Sequence, residues 1–134
     1  MARKGRYGLF VDTSKPFDEA LQALRESLKS RGFGILWEID VKATMKAKLG
    51  VDFADYVILG ACNPPIAHQA LRADPEIGLL LPCNCIVRRE GGRTIIGAIE
   101  PHTLMGVTER SDLEPFADRV EGFLTEAIGE AAGG

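Results

Sequence analysis

Cysteine, histidine and tryptophan are scarce in this chain, at three, two and one among 134 residues. The cysteines stand at positions 62, 83 and 85, and no C-x-x-C occurs, which removes the commonest zinc-knuckle and thioredoxin-type spacings. No apolar stretch approaches the roughly 20 residues that a membrane-crossing helix requires. The opening residues are basic, but Asp12 cuts off the apolar Leu9-Phe10-Val11 that follows, so they do not read as a signal peptide. The expected compartment is therefore cytoplasmic, where a disulfide framework is not expected. An excess of positive charge is missing too. Sixteen Lys and Arg against nineteen Asp and Glu leave a net charge of −3, a poor match for nucleic acid. No G-x-G-x-x-G, P-loop, G-x-S-x-G or H-E-x-x-H is present, so dinucleotide, nucleotide-triphosphate, esterase and zincin chemistry have no motif behind them.

What is present is an ordinary globular composition, 46% hydrophobic and 26% charged, which argues against disorder. Residues 1–134 read as a single domain with no internal repeat or linker. Residues 7–11 form a first strand. Ser14 then fits a helix N-cap, and Phe17, Ala20, Leu21, Leu24 and Leu28 build one apolar stripe that ends at Gly32. Ile35, Trp37 and Ile39 alternate as a strand, Asp40 caps a short helix, and Gly50 ends it. Residues 56–62 are continuously apolar and read as a central strand. Asn63-Pro64 opens another helix, which Asp74-Pro75 breaks. Gly91-Gly92 joins the two strands of a hairpin. Residues 101–111 read as a loop, Asp112 as the cap of a last helix, and residues 130–134 as a frayed tail. This order predicts an α+β fold in one two-layer domain. The expected sheet is mixed, of about five strands, with about four helices on one side.

At Ile58-Leu59-Gly60-Ala61-Cys62-Asn63-Pro64-Pro65-Ile66-Ala67 the chain resembles the domain-of-unknown-function family numbered 302, small bacterial and archaeal α/β proteins. The likeness continues through Pro75-Glu76-Ile77-Gly78-Leu79-Leu80-Leu81-Pro82-Cys83, with Gly32-Phe33-Gly34 and Asp40 in support. The resemblance implies a compact α/β domain, often a homodimer, with no agreed catalytic residue. Cys85 departs from the apolar residue that the likeness leads one to expect there.

Two sets of residues carry candidate chemistry. Gly60, Cys62, Asn63 and Pro64 lie where a strand runs into a helix N-terminus, a common place for ligands in sheets of this kind. A thiol at such a terminus is expected to have a lowered pKa, although the two prolines remove two N–H donors. The second set is Cys62, His68, Cys83 and Cys85. Cys83 and Cys85 share one strand face about 6.5–7 Å apart, too far for easy disulfide closure but compatible with a soft metal such as zinc or monovalent copper. Ordinary core packing competes with both readings, because free cysteine is among the most buried residue types. His102, in the expected loop, is the remaining histidine. The leading expectation is a dimeric, non-catalytic module that binds a small molecule. The alternative is a thiol redox or soft-metal protein using the second set. No particular cofactor is indicated, nor is a nucleic-acid or membrane partner.

Overall fold

The computed structural model describes residues 2–133 and contains one six-stranded sheet. The strands are β1 (Arg3–Lys4), β2 (Gly8–Thr13), β3 (Gly34–Asp40), β4 (Tyr56–Cys62), β5 (Cys83–Glu90) and β6 (Arg93–Ile99). Their order across the sheet is β1-β2-β6-β5-β4-β3, and every neighbouring pair is antiparallel. The helices are α1 (Phe17–Ser30), α2 (Val41–Leu49), α3 (Pro64–Ala73), α4 (Pro101–Gly106) and α5 (Glu114–Gly133). The α+β arrangement is the expected one, but the sheet is antiparallel where a mixed one was expected. The nine residues of α2 explain part of this difference. They span about 14 Å, whereas running back along the seven-residue β3 needs about 23 Å. The chain therefore turns at the end of the sheet, and β4 returns beside β3.

Alternation along the strands divides the sheet into two faces. On one face, Leu59, Val87 and Ile96 are buried beneath Leu24 and Leu28 of α1 and Leu124 and Ile128 of α5. Ser27 joins the two helices by donating to the Ala127 carbonyl at 2.9 Å. Local signals set most element ends. Asp40 Oδ1 accepts from the Ala43 N–H at 2.9 Å, and Gly32 and Gly50 end α1 and α2 with φ of +82° and +67°. The N-cap of α1 is Pro16, without a side-chain cap bond, in place of the expected Ser14.

Three further expectations are corrected. Residues 101–106 form α4 instead of a loop, because Glu100 accepts from the His102 N–H at 2.9 Å and from the Thr103 N–H at 3.2 Å. Asp112 lies inside a 3₁₀ turn, Ser111–Leu113, that precedes α5. The tail does not fray across 130–133, while residue 134 lies outside the described residues. Ala131 is buried, its carbonyl accepts from Lys15 Nζ at 2.8 Å, and the Ala132 carbonyl accepts from Thr13 Oγ1 at 2.9 Å. A cation at a helix C-terminus offsets the negative end of the dipole.

Among the described residues, no helix buries side chains on the opposite face of the sheet. There the Trp37 indole lies on Gly60, where an added Cβ would come 2.5 Å from the ring. Phe10 covers Gly97 in the same way, where an added Cβ would come 2.8 Å from its ring. Beyond these rings, not one residue from 34 to 56 is buried. Trp37 is 43% exposed and Leu49 68%. Among the described residues, no helix is long and apolar enough to cross a membrane.

Candidate functional site

The end of β4 delivers Cys62 and Asn63 to a gap between the sheet and the helices that follow it. Phe33, Ile66 and Ala70 form one wall of the gap, and Met105, Phe116 and Val120 form the other. The space amounts to about 40 Å³ and its lining is almost wholly apolar. Of the four residues expected to bind a ligand, Cys62 and Asn63 line this cavity; Gly60 and Pro64 do not. Gly60 is the seat of Trp37 on the far side of the sheet. Pro64 is the first residue of α3 and is exposed.

The α3 N-terminus has no donor to spare for an anion or a thiolate. Pro64 and Pro65 lack an N–H, the Ile66 N–H donates to Asn63 Oδ1 at 3.4 Å, and the Ala67 N–H donates to the Asn63 carbonyl at 2.9 Å. With those donors consumed, burial governs the Cys62 thiol and pushes its pKa up, opposite to the expected lowering. Burial also raises Cys83 to about 11, with a smaller contribution from the neighbouring Cys62. Cys85, enclosed in the core, is pushed up to about 12.

The soft-metal set is not assembled either. Cys62 and Cys83 both border the cavity, but no third candidate ligand from the set joins them. His68 is exposed on α3. Among the described residues, the one group of three or more candidate metal ligands within 4.8 Å of one another is Glu100, His102 and Glu121, which includes no cysteine. All three cysteines are free. In the sequence Glu100 stands two residues from His102, whereas Glu121 reaches it only through the packing of α4 on α5.

The family described as domain of unknown function DUF302 matches residues 10–131. The chain belongs to this family. An uncharacterized conserved DUF302 protein from Bacillus stearothermophilus, whose crystal structure is known, is 34% identical to it. The two structures agree with a TM-score of 0.89 over 95% of this chain and 99% of that one. No curated protein matches the chain.

For this DUF302 protein the thiol environments make a direct prediction. At pH 8 a chromogenic disulfide reagent should titrate one thiol in the native state, the half-buried Cys62. Cys83 and Cys85 should respond only after unfolding, since both remain protonated and enclosed. Rapid reaction of all three in the folded protein would overturn this assignment.

Proposed function

We propose that the protein is a non-catalytic binding module that takes a small apolar ligand at the cavity beside Cys62 and Asn63 and works as a homodimer. The cavity is the observation that carries this reading. Protein interiors pack densely, and an apolar void too poor in polar partners to hold ordered water can admit an apolar guest. A space of about 40 Å³ is well below the roughly 300 Å³ where pockets for drug-sized molecules begin. Its occupant is therefore a group of a few heavy atoms, or the end of a longer apolar chain. Asn63 offers an amide at the rim, where it can orient a polar end. The raised Cys62 thiol suits a binding wall better than a nucleophile.

Support for the dimer comes from the face of the sheet opposite α1 and α5. A nine-residue helix with no buried side chain is marginal by itself in water, yet α2 is a regular helix with an Asp40 cap and a Gly50 stop. Covering Trp37, Ile39 and Leu49 with the same face of a second copy would provide the missing burial in one self-complementary contact.

The ligand reading is tested by methyl NMR with xenon and benzene as probes. Shifts are expected at Ala70, Met105 and Ala117 and should be confined to the cavity walls. An Ala70→Leu variant that keeps its circular dichroism should lose them. Unchanged spectra for the wild type at saturating probe, or shifts that survive in the filled variant, would retire the cavity as a binding site.

A further inference from the structure

We propose that Glu100, His102 and Glu121 form a binding site for one divalent transition-metal cation, independent of the apolar cavity. His102 lies at the start of α4, with Glu100 just before that helix and Glu121 on α5. His102 Nδ1 is 3.2 Å from Glu100 Oε1 and 3.4 Å from Glu121 Oε1. Ligands about 2.1 Å from one ion stand roughly 3.0–3.4 Å apart in octahedral or tetrahedral geometry. His102 Nδ1 thus already stands at neighbour spacing from both carboxylates, and one ligand atom from each of the three residues lies within 4.8 Å of the others.

Asp118 adds an outer contact, its Oδ1 lying 2.6 Å from His102 Nε2 on the far side of the ring from Nδ1. Nδ1 faces two carboxylate oxygens, and a cation bound in place of a proton there would satisfy all three atoms. A carboxylate holding the far nitrogen of a ligating histidine is the usual outer arrangement of metal sites. One imidazole and two carboxylates suit Mn²⁺, Co²⁺ or Zn²⁺ more than a soft monovalent ion.

The site is also held in shape. Glu100 is fixed by the His102 N–H and by Thr103, whose Oγ1 donates to Oε2 at 2.7 Å. Lys4 of β1 approaches Glu121 Oε1 at 4.0 Å from the solvent side, where its exposed side chain can swing away. A cleft of about 280 Å³, carrying Arg110 and Glu114, opens beside the ring and gives an ion a way in. A bound ion would fasten the end of β6, α4 and α5 together.

The experiment is calorimetry and electron paramagnetic resonance on chelator-treated, full-length protein with Mn²⁺, which favours oxygen and nitrogen donors over thiols, followed by displacement with Zn²⁺. One ion per chain is expected. Glu121→Gln should weaken Mn²⁺ binding at least about tenfold and Asp118→Asn about 10–100-fold, with circular dichroism unchanged. His68→Ala, on the surface of α3, should bind as the wild type does. Failure of the wild type to bind either ion at millimolar concentration would overturn the site. So would undiminished binding by Glu121→Gln, or Zn²⁺ binding that is lost with Cys62→Ser instead.

Discussion

A chain carrying Trp37→Lys and Ile39→Lys is expected to sediment at 14.5 kDa, whereas the wild type should sediment at twice that mass. Both side chains point away from α1 and α5, on the edge strand β3, and are roughly 40% exposed in the single chain. Covering what remains of each is worth about 1 kcal/mol. A two-fold contact counts every residue twice, so losing the pair weakens association on the order of 10³-fold. Lysine adds the cost of drawing a charge into the contact. Because neither residue belongs to the core beneath the helices, circular dichroism of the sheet and long helices should be preserved. The melting temperature of the wild type should rise with protein concentration, and that of the variant should not. A wild type that is monomeric at micromolar concentration, or a variant that still dimerises, would remove the homodimer from the proposed function.

Leu124→Ala should destabilise the fold by about 3 kcal/mol, within the range seen when a buried leucine is truncated and the walls cannot collapse. Leu124 is 0% exposed in the middle of α5, where α1, α5 and the sheet meet. For a chain of this size the loss corresponds to a fall of roughly 10 °C in melting temperature. Leu79→Ala is the matched control, since Leu79 is 86% exposed and its truncation should stay within about 0.5 kcal/mol. Urea unfolding of both variants checks the pair. A loss below about 1 kcal/mol at Leu124 would mean that the α1–α5 layer is not the core that holds the sheet.

The two variants probe the two faces of the sheet, and the sequence distinguished those faces unevenly. The stripe Phe17, Ala20, Leu21, Leu24, Leu28 announced α1 with its buried side, and Ala20, Leu21, Leu24 and Leu28 are buried there. The alternation of Ile35, Trp37 and Ile39 announced a strand with one side on the core. The structure turns Trp37 and Ile39 to the side away from α1 and α5, and only Ile35 packs against the core. A residue inserted between Ile35 and Trp37 shifts the register, so period-two reading fails across that point.

The candidate site was half legible. Cys62 and Asn63 were marked by the strand end, the cap and the prolines, all within a few residues of one another. The opposite wall, Met105, Phe116 and Val120, arrives from α4 and α5, and nothing near Cys62 in the chain announces it. The Cys62 thiol pKa moves opposite to the direction its position in the sequence suggests, for a related reason. A helix N-terminus lowers a pKa only through free N–H groups, and Asn63 and the prolines leave none at α3.

By itself the sequence determined where elements begin and end wherever a short-range force decides it. Examples are the Asp40 and Asn63 caps, the left-handed turns at Gly32 and Gly50, the break at Asp74-Pro75 and the hairpin at Gly91-Gly92. Each of these rests on sterics or one hydrogen bond among residues at most four apart. Only the tertiary structure decided the antiparallel order of the strands, the folding of residues 130–133, and the meeting of His102 with Glu121. Those features depend on burial and on groups brought together from distant positions, which acquire their energies only once the chain has closed around its core.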